Sequence, residues 1–119
     1  MSEEEKQRPR GSGRIGFIGL GRMGLALAGH LISRRPDLMI HDINPVPVKD
    51  LVARGAQPAA SAAELAGACD VIFTMLPGPV QVRQVWLDPA GLVAKARPGS
   101  ILVDLSTVDV ETVDALARA

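Results

Sequence analysis

Three glycines near the start of the chain have the spacing of a phosphate-binding turn. The segment GFIGLGRMG, residues 16–24, places Gly19, Gly21 and Gly24 in a G-x-G-x-x-G pattern between an apolar run and a segment of helical period. In such a turn the first glycine permits the tight bend, the second lets the backbone approach a pyrophosphate, and the third lets helix and strand pack closely. The amides that would point at the phosphates from the start of the helix belong to Gly21, Arg22 and Met23.

An acidic residue about 20 positions further on should accept hydrogen bonds from the adenosine ribose of a dinucleotide. Asp42 stands 18 residues after Gly24, at the end of the second apolar run. Its carboxylate would repel a 2′-phosphate and no arginine follows it directly, so the predicted cofactor is NAD rather than NADP. The alternative is an ordinary aspartate at a strand end that caps the next helix, although Asn44 already supplies such a cap.

The elements that must position these residues alternate as short apolar runs and longer segments of helical period. Strands are expected at residues 14–18, 38–41, 71–75 and 101–104. Helices are expected at residues 22–34, 45–54, 61–68, 80–87 and 90–95, and from about residue 107. This pattern predicts an α/β fold, a Rossmann-type doubly wound parallel sheet in three αβα layers.

Local patterns also predict how individual helices begin and pack. In the first helix, Met23, Leu27 and Leu31 recur at four-residue steps with Ala28 and Ile32 beside them, which predicts an apolar stripe. The third predicted helix opens on a capping box, S-x-x-E, at residues 61–64.

Composition narrows the classes of protein further. The 119 residues carry 13 Lys and Arg against 13 Asp and Glu and are 47% apolar, as expected for one neutral domain. Because Cys69 is the only cysteine, an internal disulfide and a multi-cysteine metal site are excluded, and no metal site is predicted. The neutral charge and the three aromatic residues argue against nucleic-acid binding. Arg83 and Arg97 are expected to be solvated.

No part of the sequence predicts a membrane segment. No apolar stretch approaches the roughly 18 residues that are needed to span a bilayer. Residues 1–13 are charged, have nothing to bury and are expected to form a disordered leader, which leaves residues 14–119 as the domain. Without a hydrophobic signal segment, the expected location is cytoplasmic.

Four motifs together resemble the β-hydroxyacid dehydrogenase family, which includes 3-hydroxyisobutyrate dehydrogenase. In the order of the family they are GFIGLGRMG at 16–24, HDINP at 41–45, MLPGPVQV at 75–82 and VDLSTVDVET at 103–112. The resemblance implies an oxidoreductase that transfers a hydride between a nicotinamide cofactor and a small 3-hydroxy acid or semialdehyde, of the 3-hydroxyisobutyrate, tartronate semialdehyde or glyoxylate type.

The resemblance also implies a set of cofactor contacts at the glycine turn, the ribose loop, the turn after the strand at 71–75, the adenine and the nicotinamide. Besides the three glycines, these positions are Arg22, Met23, Asp42, Ile43, Asn44, Met75, Leu76, Pro77, Val82 and Thr107. Met23 and Met75 could equally be core methionines. Either Ser106 or Thr107 could cap the last helix while the other faces the cofactor.

Two features of the family are absent from the sequence. One is the strand with an Asp-x-Pro-Val-Ser-Gly-Gly segment that holds the substrate, and the other is the helical domain with the catalytic lysine. Lys6, Lys49 and Lys95 do not match that lysine motif, so no catalytic residue is assigned. We therefore expect a Rossmann unit without its last strand and without the helical second domain. The alternative is a non-catalytic dinucleotide-binding module or a truncated product, and self-association is left open.

Overall fold

The structure, a computed structural model, describes residues 14–106 and 110–118. Its strands are β1 (Ile15–Ile18), β2 (Met39–His41), β3 (Gln57–Pro58), β4 (Val71–Thr74) and β5 (Ile101–Asp104). Its helices are α1 (Arg22–Arg34), α2 (Pro45–Ala53), α3 (Ala62–Ala68), α4 (Pro79–Leu87), α5 (Leu92–Lys95) and α6 (Val110–Arg118). None of these described helices combines the length and the apolar character needed to cross a membrane. The predicted leader at 1–13 and Thr107 lie outside the described residues.

All five strands are parallel and lie in the order β3-β2-β1-β4-β5. In the centre of the sheet, Phe17 of β1 lies opposite Ile40 of β2 and Phe73 of β4. From β1 the chain builds outward through β2 and β3, and then crosses to β4 on the other side of β1. This is the predicted Rossmann-type sheet, with its topological switch point between β1 and β4.

Helices cover both faces of the sheet and complete the three layers. One core cluster joins the strands to α1 and α2, and its members include Phe17, Ile40, Ala28, Ile32 and Leu51. The other joins the opposite face to α3, α4 and α5, and its members include Ile72, Leu65, Val82, Trp86 and Leu92. A sheet buried on both faces requires strands that are nearly continuous apolar runs, as β1 and β4 are.

The edge strand β3 was missed by the sequence prediction. It has only two exposed residues, Gln57 and Pro58, and no apolar run that would predict it. Pairing with β2 defines it, because Gln57 N–H donates to Leu38 O (2.9 Å) and Ala59 N–H donates to Ile40 O (2.8 Å). Pro58 cannot donate a ladder hydrogen bond and is tolerated here because β3 is at the edge of the sheet.

The buried face of α1 is shifted by one position along the sequence from the predicted stripe. Met23 is 67% exposed and Leu27 is 38% exposed. The buried residues of the helix are Gly24, Ala28 and Ile32. A Cβ on Gly24 would lie 2.1 Å from the carbonyl oxygen of Gly19, so α1 approaches the turn very closely. This approach places the small residues toward the sheet and turns Met23 and Leu27 outward.

The arginines predicted to be solvated have partners. The Arg97 guanidinium pairs with the carboxylate of Asp70, which is buried at the amino end of β4. The same carboxylate accepts a hydrogen bond from the backbone N–H of Arg14 (3.3 Å). Arg83 is exposed, but its Nε donates to Thr112 Oγ1 (3.0 Å). The Arg97 side chain is still 37% exposed, but its partner was not predicted. A buried carboxylate requires a charged partner, and only the fold shows which residue supplies it.

Candidate functional site

A cavity of about 650 Å³ opens at the carboxyl ends of β1, β2 and β4. In open parallel sheets, ligands bind at the topological switch point, outside the carboxyl ends of the strands. Most of the predicted site residues meet here. Those that line the cavity are Gly19, Gly21, Arg22, Met23, Gly24, Asp42, Ile43, Asn44, Met75, Leu76 and Pro77.

Two predicted site residues are not brought to this cavity. Thr107 lies outside the described residues. Val82 is completely buried and does not line the cavity, so its expected place near the adenine stays a prediction. Val82 and Trp86 are four residues apart on α4 and both pack into the core, whereas Gln81 and Val85 line the cavity. The apolar i, i+4 spacing of Val82 and Trp86 was the signal for a core position.

The three glycines of the turn meet different surroundings. Gly19 has φ +99°, and a Cβ there would lie 2.1 Å from the carbonyl oxygen of Met75. Gly24 packs just as closely, since a Cβ there would lie 2.1 Å from the carbonyl oxygen of Gly19. By contrast, a Cβ built on Gly21 would have no described atom within 4 Å other than those of Gly21 and its two chain neighbours. Gly19 and Gly24 are therefore required by the fold, whereas the space over Gly21 is open to a ligand.

The start of α1 presents unpaired backbone amides to the cavity. Gly21 is the N-cap residue, and in the described structure no side chain caps the helix and no acidic residue stands in its first turn. The first amides of a helix lack intrahelical partners, and the helix dipole adds partial positive charge there. Arg22 is exposed at the same place and lines the cavity. This end of the helix is suited to hold an anion such as a pyrophosphate.

Asp42 connects the end of β2 to the glycine turn. One oxygen of its carboxylate accepts a hydrogen bond from the backbone N–H of Leu20. The other oxygen accepts from the backbone N–H of Asn44 (2.9 Å). The cap of α2 is Asn44 itself, whose Oδ1 accepts from the N–H of Val46 (3.1 Å). Asp42 therefore does not cap the helix, and its carboxylate retains acceptor capacity at the edge of the cavity.

Apolar side chains form part of the cavity rim. Ile43 is 96% exposed and Met23 is 67% exposed, and both line the cavity. The interpretation of Met23 as a core residue is wrong for this reason, whereas Met75 is half-buried and packs against the core while lining the cavity. Exposed apolar side chains beside a few placed polar groups are typical of sites for flat organic ligands.

Sequence reasoning missed several residues that line the cavity. They are Ile18, Leu20, His41, Gln81, Gln84, Val85 and Leu105, while Ser106, which the sequence left as an alternative to Thr107 beside the cofactor, also lines it. Ser106 has a defined role, because its Oγ accepts a hydrogen bond from the backbone N–H of Leu76 (2.7 Å). Their sequence positions could have indicated this place, since Leu105 and Ser106 directly follow β5. The carboxyl ends of parallel strands lie together on one side of the sheet, where ligands bind.

The sheet order, the glycine turn and the cavity define a dinucleotide-binding α/β domain of the Rossmann class. Comparison with known families makes this more specific: the chain belongs to the family described as the NAD binding domain of 6-phosphogluconate dehydrogenase, which matches residues 14–119. The resemblance to the β-hydroxyacid dehydrogenases is confirmed by the relatives that follow.

The mitochondrial 3-hydroxyisobutyrate dehydrogenase of Mus musculus is 38% identical over 104 residues, which cover 87% of this chain and 31% of that protein. A structure of Mycobacterium tuberculosis 3-hydroxyisobutyrate dehydrogenase with L-serine matches with a TM-score of 0.81 and 30% identity, over 89% of this chain and 35% of that one. A structure of Psf3 in complex with NADP+ and 2-OPP matches with a TM-score of 0.80 and 35% identity, over 86% and 36%. The chain thus spans about a third of the length of these relatives.

Proposed function

We propose that this chain binds NAD(H) as the cofactor-binding part of an oxidoreductase acting on a small 3-hydroxy acid or semialdehyde. When bound, the cofactor supplies or accepts the hydride at its nicotinamide ring. The observation that carries the proposal is the pairing of an uncapped α1 N-terminus with Asp42, both at one cavity over the switch point. A pyrophosphate and a ribose are the groups that these two features are suited to hold.

The order of groups along the cavity follows from these two features. The adenosine ribose is placed at the end of β2, where Asp42 can accept from its hydroxyls. The pyrophosphate would then lie over Gly21, and the nicotinamide half would extend toward the ends of β4 and β5, where Leu76 and Ser106 line the cavity. In this orientation the chain's own residues bind and orient the cofactor and exclude water from one side of it.

NAD is proposed over NADP because of charge. A 2′-phosphate on the adenosine ribose would lie beside the Asp42 carboxylate, and the three residues that follow Asp42 carry no positive charge. The substrate class rests on the family resemblance. A cytoplasmic location is a further part of the proposal and rests on the sequence alone, and self-association is left open.

A second candidate function is dinucleotide binding without turnover by this chain itself. Reduction of a carbonyl requires a proton donor within hydrogen-bond reach of the substrate oxygen. The lysines in the described residues, Lys49 and Lys95, are exposed and do not line the cavity. Substrate binding and proton transfer would then require groups other than the ones described. Purified protein should show no NAD-dependent oxidation of 3-hydroxyisobutyrate, and sustained turnover would contradict this candidate.

Calorimetric titration with NADH and NADPH tests the proposed function. We expect NADH to bind more tightly than NADPH, and Asp42→Ser to reduce the ratio of the two affinities. Because Asp42 also holds the Leu20 amide, the variant is expected to weaken both ligands somewhat, and the ratio is therefore the informative quantity. Equal affinities in the parent would contradict the preference for NAD, and no binding of either ligand would contradict the proposed function.

A further inference from the structure

A chain of hydrogen bonds runs under the β4 side of the cavity. Trp86 Nε1 donates to Thr74 Oγ1 (3.0 Å), and the Thr74 hydroxyl donates to Asp104 Oδ1 (2.9 Å). Asp104 Oδ1 also accepts from the backbone N–H of Ser106 (3.1 Å). The Ser106 hydroxyl then accepts from the backbone N–H of Leu76 (2.7 Å). Side chains from α4, β4 and β5 are thus connected to one amide of the cavity wall.

Most of the residues that form these hydrogen bonds cannot contact a ligand in the cavity. Thr74 is fully buried and Trp86 is 7% exposed, and neither lines the cavity. Asp104 lines a neighbouring depression of about 360 Å³ and not the cavity itself. A valine would suit the position of Thr74 in a central apolar strand, whereas a buried hydroxyl is costly unless its hydrogen bonds are satisfied. Here Thr74 both accepts and donates, and its orientation is fixed.

The Met75–Leu76 segment is held from the opposite side by the glycine turn. Met75 N–H donates to Ile18 O (2.9 Å). The carbonyl oxygen of Met75 fills the space where a Cβ on Gly19 would stand. The Met75–Leu76 peptide therefore lies between Gly19 and Ser106, and contacts on both sides hold it.

We propose that Thr74, Asp104 and Ser106 are positioning residues for the nicotinamide half of the cofactor, an inference that rests on the proposed function. They act through the Leu76 amide, which they hold in place beside the nicotinamide end of the cavity. The adenosine end, at Asp42, is built from β2 and the glycine turn, and within the described residues no hydrogen bond joins Asp42 to Thr74, Asp104 or Ser106. Removing the hydrogen bonds of Thr74 should therefore weaken the contacts to the nicotinamide half of the cofactor and leave those to the adenosine half unchanged.

The test compares NADH with ADP, which lacks the nicotinamide half, in calorimetric titrations of Thr74→Val and of the matched control Thr74→Ser. Thr74→Val removes the buried hydroxyl at nearly constant volume, and we expect it to weaken NADH binding about tenfold and ADP binding less than twofold. Thr74→Ser keeps the hydroxyl and should leave both affinities within about twofold of the parent. A purely structural role would weaken both ligands together, and that result would overturn the inference.

The fluorescence of bound NADH gives an independent readout of the nicotinamide environment. In Thr74→Val the emission of the reduced nicotinamide at saturation should shift toward that of free NADH, while Thr74→Ser should retain the parent spectrum. If Thr74→Val does not fold, Ser106→Ala, at a half-exposed position, should show the same selective loss of NADH affinity. An unchanged ratio of the two affinities would overturn the inference alone, whereas a parent protein that binds neither NADH nor ADP would overturn the proposed function as well.

Discussion

The carboxylate of Asp42, at the end of β2, accepts a hydrogen bond from the backbone N–H of Leu20 inside the glycine turn. This bond makes Asp42 part of the turn's own structure in addition to its proposed role toward a ribose. Leu20 is buried, so if Asp42 were replaced, water would be a poor substitute as the acceptor for the Leu20 N–H. The first prediction follows from this pairing.

Asp42→Ala should lower the free energy of unfolding by about 1–2 kcal/mol, because it leaves the Leu20 amide without its acceptor. Asp50→Ala is the matched control, since Asp50 forms an exposed i, i+4 pair with Arg54 (3.1 Å) and should cost about 0.5 kcal/mol or less. Urea denaturation of the parent and the two variants measures both values. Equal losses in the two variants would contradict a structural role for Asp42.

Gly21→Ala should leave the fold intact and weaken NADH binding at least about tenfold. Its φ of −64° suits alanine and no described atom meets the added Cβ, so the methyl group would occupy only the space over the turn. A phosphate held at the α1 N-terminus would have to retreat from that methyl group. Gly67→Ala is the control, because Gly67 is an exposed α3 glycine with equally open surroundings. It should preserve NADH affinity, and an identical loss in both variants would refute the phosphate site.

Gly19→Ala should destabilise the protein by about 2 kcal/mol or more, since it combines strain at φ +99° with a contact to the Met75 carbonyl oxygen. Gly55→Ala separates the two effects, because Gly55 has φ +111° but no described atom near the added Cβ. It should cost about 1 kcal/mol. Thermal unfolding of both variants gives the comparison. Equal destabilisation would mean that the contact with Met75 contributes nothing.

Stability should also fall at alkaline pH because of Cys69. Burial raises the pKa of the Cys69 thiol from 9.0 to about 12, whereas the thiol of the unfolded chain ionises near its ordinary value. Between about pH 9 and pH 12 the unfolded state binds fewer protons than the native state, so the free energy of unfolding decreases as the pH rises. Denaturation at pH 8 and pH 10 should show a larger decrease in the parent than in Cys69→Ala. The same decrease in both proteins would exclude the thiol as a cause.

Much of the fold and most of the site could be predicted because their signals are local. The glycine spacing stands within nine residues, and the caps at Asn44 and Ser61 depend on neighbours two or three residues away. Asn44 caps α2 and Ser61 caps α3, both as predicted, while the Glu64 carboxylate accepts from the N–H of Ala60, one residue before the cap. Such patterns are decided by short stretches of backbone and can be inferred without knowing the rest of the chain.

The features that could not be predicted depend on contacts between distant parts of the chain. The buried face of α1 follows from the packing of Gly24 on Gly19. The partner of Arg97 is 27 residues away in sequence. The two-residue strand β3 exists only because β2 lies beside it. In each case the competing local signal was too weak to decide the outcome.

The central claim, that the cavity over the switch point is a dinucleotide site, is tested most directly by titrating isotope-labelled protein with NADH and following the backbone amide resonances. The claim predicts saturable shifts that are largest for the amides of residues 21–24 at the α1 N-terminus, with further shifts at 42–44 and at Leu76. The resonances around Asp70 and Arg97, which lie at the opposite, amino ends of the strands, should remain nearly unchanged. Saturation of the protein with NADH while the amides of residues 21–24 do not shift, or no saturable shift anywhere, would contradict the claim.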